Sequence, residues 1–427
     1  MMKLLEGVKN MNKKIVISMG LLALLIIGSS FTLSTTSAAT TVKIGLLTPK
    51  TGALGFLGQS FEDGANLAID DLNAMGNDYT FELVVGDTQT DAAATATVTT
   101  TLISGGVSGI VGAAASSDTI SAIAIAKDSN VPMISYASTS PSITDESDGD
   151  FLFRVVPSDA FQGKALADLI GTKGGFSKVA IIGLNDAYGT GLAASFKGAF
   201  SGSVSSEQTY PSDQKDFSTE VAAVKASDAE AILLISFNDD GTAILKELAT
   251  QGVSLPVYGT DGTKSSALFD SNNFDGMKGT APQVENTTSF FNAFVDKFSY
   301  APTIFVPETY DATMILGKAA MEAKSADSCG VADNIRVIGK NYDGVSSTIT
   351  FDVNGDQVAA SYEYWQADSA AASNFTKIGQ FVPDTSSANL GTNPGHCPTS
   401  TPTPISTISV LFGMISVATL VMLRRRK

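Results

Sequence analysis

Short apolar runs alternate with segments of helical periodicity along most of the chain, and this alternation constrains the fold more than any other sequence feature. Up to residue 136, apolar runs predict strands at residues 42–47, 81–85, 109–113 and 132–136. Apolar residues at helical spacing predict helices at residues 61–72, 91–103 and 121–127. Strands that alternate with helices form parallel sheets covered on both faces. We therefore predict an α/β fold.

The same alternation restarts after Pro157 and indicates a second lobe. The predicted helices are residues 160–170, 189–199, 217–225 and 242–251, and the predicted strands are residues 178–183, 204–209, 231–237 and 256–259. Two further helices are predicted at residues 290–298 and 308–324. Residues 348–352 and 362–366 are predicted to form a terminal hairpin through a turn that contains Asn354-Gly355.

The N-terminus has the layout of a secretory signal peptide. Lys13 and Lys14 precede an apolar run at residues 15–27, and small and hydroxyl residues follow as far as Ala39. This arrangement is typical of such signals. We predict that residues 1–39 form a signal peptide. A retained membrane anchor is the alternative, although the run is short for a span of about 20 residues.

The C-terminus predicts a membrane anchor. Residues 405–423 carry no charge and are followed at once by a basic tail at residues 424–427, as in a span whose basic end stays cytoplasmic. Residues 384–404 are rich in Thr, Pro and Ser, which favours an extended linker. We expect an exported protein held at the extracellular face of the membrane by one helix. Removal of the tail by a sorting enzyme stays open.

Composition argues against several classes of function. The formal net charge is −16 although both ends are basic, so the middle of the chain is more acidic still and should repel nucleic acid. His396 is the only histidine, which argues against Ser/His/Asp and Cys/His catalysis and against His-based zinc sites. The sequence contains no P-loop and no G-x-S-x-G motif. We predict a protein that is not an enzyme, needs no cofactor and binds no nucleic acid.

The chain has two cysteines, Cys329 and Cys397, which are too few for a thiolate metal site. In an oxidising compartment they could pair with each other and tie the end of the folded region to the linker. Two free thiols are the equally open alternative, because disulfide geometry cannot be seen in a sequence.

Polar loops follow three of the predicted strands. Residues 115–119 and 137–141 offer hydroxyls and amides that suit an anion, and Thr260-Asp261-Gly262 offers a carboxylate. Ligands of open parallel sheets bind outside the carboxyl ends of the strands. These groups would suit the two charges of an amino acid zwitterion. Taken alone, each loop is more often a helix cap or a turn, and Asp118 is interpreted as a cap.

Taken together, these segments resemble the leucine/isoleucine/valine-binding protein family, the type I periplasmic binding proteins that deliver solutes to ABC transporters. The resemblance spans residues 41–366 and rests on the order and spacing of short motifs. The motifs are KIGLLTPKTG at residues 43–52, GANLAI at 64–69 with Asn73, GDT at 86–88, FR at 153–154, DAYG at 186–189, DFS at 216–218, YDA at 310–312, and TFD at 350–352 with NGD at 354–356.

The resemblance implies two doubly wound parallel-sheet lobes joined by three crossovers. The first lobe would comprise residues 40–157 and 285–346, and the second would comprise residues 158–284 and 347–383. The crossings are expected near residues 156–159, 284–286 and 346–348.

The resemblance also implies a ligand site. Its residues would be Ser116, Ala137, Thr139, Tyr188, Phe237, Asp261, Tyr310 and Leu57. The first three would hold the ligand's carboxylate, and Asp261 would meet its ammonium group, at a place where the family has the longer Glu. Tyr188, Phe237 and Tyr310 match aromatic wall positions, and Leu57 stands where the family has an aromatic residue.

In this family a solute is captured between two lobes that close on it, and a permease and an ATPase recognise the closed form. The resemblance therefore implies a solute-binding subunit of an ABC transporter, with permease and ATPase subunits as partners. Branched-chain amino acids are favoured as ligands, followed by other amino acids or small amides. The ligand-binding ectodomain of a sensory or receptor system is one alternative. A structural surface protein without a ligand is another.

Overall fold

A computed structural model of the protein describes residues 39–76, 78–265, 275–284, 288–358, 361–371, 374–385 and 389–390. The predicted transmembrane segment at residues 405–423, Cys397 and all but the last residue of the predicted signal peptide lie outside these ranges. None of the helices within the ranges combines the length and the hydrophobicity that a bilayer span requires. The described residues form two large sheets with helices, as the α/β prediction states.

The first sheet has five parallel strands in the order β2-β1-β3-β4-β5. They are β1 (Thr40–Thr48), β2 (Tyr79–Asp87), β3 (Gly109–Val111), β4 (Met133–Ser135) and β5 (Leu152–Arg154). The intervening helices are α1 (Gly55–Ala74), α2 (Ala92–Ser104) and α3 (Ser116–Ala126). Residues 42 and 44–48 of β1 are buried, as expected for a strand covered on both faces.

The second sheet has seven strands in the order β14-β13-β10-β9-β8-β6-β7. They are β6 (Lys178–Leu184), β7 (Ser203–Tyr210), β8 (Ala231–Ile235), β9 (Val257–Gly259), β10 (Lys278–Pro282), β13 (Tyr362–Ala367) and β14 (Phe375–Phe381). The helices between them are α4 (Asp159–Ala167), which continues as a π-helix (Asp168–Lys173), α5 (Ala187–Ala199), α6 (Ser218–Ala226) and α7 (Asn238–Thr250). Strands β13 and β14 are antiparallel, so this sheet is mixed at one edge.

Three later helices, α8 (Thr288–Phe298), α9 (Val306–Ala323) and α10 (Ser328–Ile338), return to the first sheet, where α9 contacts β1, β3 and β4. Helix α9 also lies against α1 at Gly64. A Cβ atom at Gly64 would come within 2.8 Å of Cγ1 of Val306, so the missing side chain allows the two helices to approach closely. The first sheet itself comes from residues 40–154, and its covering helices include a second segment of the chain at residues 288–338.

A buried ion pair fixes β5 to the turn at residues 352–356. The guanidinium of Arg154, fully buried, donates to both carboxylate oxygens of Asp356, at 2.6 and 2.8 Å. The same guanidinium donates to the carbonyl of Ser140 at 2.8 Å and to the hydroxyl of Thr144 at 2.8 Å. This bidentate arrangement holds the end of the first sheet against a segment that leads into β13.

Two predictions about local structure are wrong. Residues 348–352 and 362–366 do not pair as a hairpin: β12 (Thr348–Ile349) pairs with β11 (Tyr342–Asp343), and β13 pairs with β10 and β14. The turn at Asn354-Gly355 exists, but tertiary packing sends the strands on either side of it to different partners. Helix α3 begins at Ser116, and its N-cap is Ala115 without a side-chain cap, so Asp118 lies in the first turn and is not the cap.

Candidate functional site

Two loops at the carboxyl ends of β3 and β4 form one side of the candidate site. Ser116 is the first residue of α3, and its hydroxyl accepts a hydrogen bond from the backbone N–H of Ser140 at 3.3 Å. Thr139, in the loop after β4, is buried and donates its hydroxyl to Oδ2 of Asp159 at 2.8 Å. Ala137 lies two residues earlier and is partly buried. Hydroxyls and a helix N-terminus therefore share this edge of the first sheet.

Two aromatic rings and a carboxylate form the other side. Tyr188 of α5 stacks on Phe237, with ring centroids 5.6 Å apart and planes within 6°. The hydroxyl of Tyr188 lies 3.0 Å from Oδ1 of Asp261, the first residue of the 3₁₀ turn that follows β9. A Cβ atom at Gly262 would lie 3.1 Å from that hydroxyl and 2.7 Å from the carbonyl of Ser236, so only glycine leaves room here.

Asp159 and Gln162, on one face of α4, connect the two sides. Asp159 accepts the bond from Thr139 described above, and its backbone N–H donates to the carbonyl of Thr139 at 2.8 Å. The side-chain amide of Gln162 donates to Oδ1 of Asp261 at 2.8 Å and lies 3.1 Å from the hydroxyl of Thr280. One helical turn of α4 thus brings the loop after β4 and the loop after β9 into a single polar network.

The network holds two carboxyl groups that are almost fully buried. Burial raises the pKa of Asp159 well above its usual range, and the neighbouring charge of Asp261 raises it further. Burial also raises the pKa of Asp261, although hydrogen bonds from Gln162 and Tyr188 favour its charged form. A cationic group placed between them would therefore be strongly favoured.

The first turn of α5 also contacts loops of the first sheet. The backbone N–H of Ala187 donates to the hydroxyl of Ser117 at 3.3 Å, and its carbonyl accepts from the hydroxyl of Ser140 at 2.6 Å. A Cβ atom at Gly191, one turn later, would lie 2.8 Å from the same Ser140 hydroxyl. The loops after β3 and β4 and the start of α5 are therefore in direct contact beside the network.

Residues 41–372 match the family described as periplasmic binding protein. The chain belongs to this family. Among curated relatives, the leucine-, isoleucine-, valine-, threonine- and alanine-binding protein of Pseudomonas aeruginosa is 26% identical over 330 residues, which cover 75% of this chain and 88% of that protein.

Two solved structures of the family are similar to this chain at 25% identity. The leucine-binding protein LivK from Thermotoga maritima has a TM-score of 0.73 and matches 80% of this chain and 99% of its own. LivJ from Streptococcus pneumoniae, a branched-chain amino acid transporter substrate-binding protein determined with isoleucine, has a TM-score of 0.71 and matches 81% of this chain and 99% of its own.

The structure of this periplasmic binding protein brings six of the eight predicted ligand-binding residues to the two sides described. Of the other two, Leu57 is buried in the first turn of α1. Tyr310 lies apart from the network: its hydroxyl donates to Asp71 at 2.7 Å, and its ring contacts Phe290 edge-on at 5.2 Å. Its role at the ligand site stays a prediction.

Cys329, in the first turn of α10, is disulfide-bonded. Its predicted partner, Cys397, lies outside the described residues, so the pairing stays a prediction.

Sequence reasoning missed Asp159 and Gln162. The signal available was a pair of polar residues at positions i and i+3, directly after Pro157 and Ser158. That pattern is typical of the exposed face of a helix, and it gives no sign that both side chains are buried. The placement of Gln162 depends on the turn after β9 and on β10, which are about 100 residues away in the sequence, and that of Asp159 depends on Thr139 in the loop after β4.

Proposed function

We propose that this protein is an extracellular solute-binding subunit of an ABC transporter and that it captures an amino acid, with branched-chain amino acids favoured. The observation that carries the proposal is the opposite character of the two sides of the site. One side offers Ser116 at a helix N-terminus and Thr139 in the next loop, and the other offers the buried carboxyl group of Asp261, while the buried carboxyl group of Asp159 lies where the two sides meet. An amino acid presents the two complementary charges, a carboxylate and an ammonium group.

In this proposal each charged end of the ligand has its own set of partners. The carboxylate is held by the hydroxyl of Ser116, the backbone amide of Ala137 and Thr139. The ammonium group donates to Asp261 and to Oδ1 of Asp159, which has no hydrogen-bond partner among the described residues. A positive charge there would offset the unfavourable burial of the two carboxyl groups.

The stacked rings of Tyr188 and Phe237 are proposed to form an apolar wall beside the ammonium site. Such a wall favours an aliphatic ligand side chain, because its contact surface leaves water on binding. Two relatives agree with this preference: one is named a leucine-, isoleucine-, valine-, threonine- and alanine-binding protein, and the structure of another was determined with isoleucine.

Capture would proceed by closure of two lobes, residues 40–157 with 285–346 and residues 158–284 with 347–383. The contacts of Ala187 with Ser117 and Ser140 support a closed arrangement, because they join the start of α5 to loops of the first sheet. Permease and ATPase subunits are the proposed partners of the closed form. Catalysis forms no part of the proposal.

We further propose export by the signal peptide at residues 1–39 and attachment to the membrane through residues 405–423. Residues 384–404 would form the linker, and residues 424–427 would form a cytoplasmic tail. A disulfide between Cys329 and Cys397 would fasten this linker to α10.

A thermal-shift screen of the purified full-length chain against L-amino acids, amides and small carboxylates tests the proposed ligand class. A ligand at about 100 times its Kd should stabilise the folded state by about 2.7 kcal/mol. We expect the largest shifts with leucine, isoleucine and valine. Asp261→Ala should abolish these shifts, whereas Asp216→Ala, which removes an exposed carboxylate that is not one of the proposed ligand contacts, should preserve them. Shifts with uncharged amides alone would contradict the role of Asp261, and no shift with any compound would contradict the proposal.

A further inference from the structure

The polar network contains two carboxylates and no cation that is available to neutralise them among the described residues. Asp159 has no exposed surface and Asp261 is 5% exposed. The nearest buried cation, Arg154, has its guanidinium occupied by Asp356, Thr144 and the carbonyl of Ser140. Without an added cation, burial and mutual repulsion disfavour the state in which both carboxyl groups are ionised.

The hydrogen bonds make the two carboxyl groups unequal. Oδ1 of Asp261 accepts from the amide of Gln162 at 2.8 Å and lies 3.0 Å from the hydroxyl of Tyr188, and both donors stabilise a negative charge. Asp159 accepts one hydrogen bond, from Thr139 to Oδ2, and its buried Oδ1 has no partner among the described residues. A proton shared by the pair therefore belongs on Asp159, and Asp261 carries the charge.

We propose that Asp159 holds a proton in the ligand-free protein and that the ammonium group of an arriving amino acid displaces this proton to solvent. The positive charge of the ligand then takes the place of the proton, and Oδ1 of Asp159 gains a hydrogen-bond donor. Asp159 is thus a ligand-contacting residue, and capture of one ligand releases one proton. This inference rests on the proposed function, since it requires a ligand with an ammonium group.

The charged and titratable groups around Asp159 support this assignment. Asp261, from the turn after β9, and Asp186, from the turn before α5, both disfavour its ionised form, as burial does; Thr139 and Arg154 favour it. Tyr188 of α5 and Tyr362 of β13 also face the pair, and burial raises the pKa of both, so these phenols stay neutral and provide no charge. Burial and the two acidic neighbours dominate, and the pKa of Asp159 lies well above its usual range.

Proton release makes the affinity depend on pH in a defined direction. The ligand-free state binds one more proton than the complex, so raising the pH favours the complex. At pH values below the pKa of Asp159 in the ligand-free protein, the Kd should fall about tenfold for each unit by which the pH is raised. At pH values above that pKa, the Kd should become constant. A site whose carboxylates are both ionised before binding would show no such slope.

Isothermal titration calorimetry of the full-length chain with L-leucine measures the released proton. At one near-neutral pH, titrations in phosphate, imidazole and Tris differ in buffer ionisation enthalpy, and the slope of the observed enthalpy against that quantity counts the protons. We expect about one proton released per leucine bound. Binding without a buffer dependence would overturn the inference and leave the proposed function standing. Failure of every amino acid to bind would refute the proposed function, and the inference with it.

Two variants identify the source of the proton. Asp159→Asn keeps the shape of the side chain but holds no titratable proton, so its leucine binding should release none. Asp118→Asn is the matched comparison, because Asp118 is also buried, its Oδ2 has no hydrogen-bond partner in the part of the chain that the structure describes, and burial raises its pKa to about 7. Its proton count should equal that of the wild type. A count that disappears in Asp118→Asn and persists in Asp159→Asn would overturn the assignment. If Asp159→Asn does not fold, the slope of the wild-type Kd against pH decides the matter: a flat profile contradicts the inference.

Discussion

Replacing Asp356 with Asn should destabilise the fold strongly, because it removes the counter-charge of a fully buried arginine. Arg154 donates to both oxygens of Asp356, and its other hydrogen-bond partners, the carbonyls of Ser138 and Ser140 and the hydroxyl of Thr144, carry no net charge. The variant keeps the shape of the side chain. It therefore isolates the cost of a guanidinium that stays buried without a carboxylate.

The expected magnitude follows from this burial. Breaking a buried ion pair by removing one partner typically costs about 3 to 5 kcal/mol. Each kcal/mol of lost unfolding free energy lowers the melting temperature of a domain of about 150 to 250 residues by about 2 to 4 °C. We therefore expect a decrease of about 6 to 20 °C in Asp356→Asn.

Differential scanning calorimetry at neutral pH measures this decrease. The control is Glu62→Gln, which neutralises one partner of the more exposed ion pair between Lys50 and Glu62. Exposed pairs contribute about 0 to 1 kcal/mol, so the control should melt within a few degrees of the wild type. A decrease in Asp356→Asn no larger than that of the control would show that the pair does not hold β5 against residues 352–356.

Three further perturbations test other parts of the account. Ser140→Ala removes the 2.6 Å hydrogen bond to the carbonyl of Ala187 and should raise the Kd for leucine, measured by calorimetry, by about 2- to 13-fold. An unchanged Kd would contradict a role of this hydrogen bond in closure. Gly189→Ala places a Cβ atom 2.1 Å from a backbone oxygen of β6 and should lower the melting temperature. Gly198→Ala is the control: its Cβ atom has no other atom within 4 Å, so the melting temperature should stay the same or rise. Equal melting temperatures for the two variants would contradict the packing argument. Burial raises the pKa of Glu308 to about 8 from 4.5, so its protonated form stabilises the fold at acidic pH and this contribution is lost as the pH rises toward 8. Glu308→Gln should flatten that part of the wild-type profile of melting temperature against pH. Parallel profiles for the variant and the wild type would refute the assignment.

The alternation of strands and helices was predictable because each element carries its own local signal. The prediction for residues 231–237 contains β8, whose five residues are all apolar and all buried. Strand β10 escaped prediction because Lys278–Pro282 includes a glycine and a proline and shows no alternation. The hairpin predicted for residues 348–352 and 362–366 failed for a different reason. The turn between these segments is present, but each strand pairs with a segment that local sequence patterns do not identify.

The site was predictable only in part, for a related reason. Asp261 and Tyr188 follow strand ends, and the rule that ligands bind at those ends directs attention to them. Asp159 lies at a helix start, where an acidic residue has an ordinary structural explanation. Only the fold shows that it is buried and that Gln162, one turn later, reaches Asp261.

A crystal structure of the protein with L-leucine tests the central claim most directly. The account predicts one leucine between the loops after β3 and β4 and the turn after β9. Its ammonium nitrogen should lie within about 3.2 Å of Asp159 and Asp261, and its carboxylate should lie at the same range from Ser116 and the amide of Ala137. A ligand bound in the reverse orientation, or elsewhere on the protein, would contradict the account.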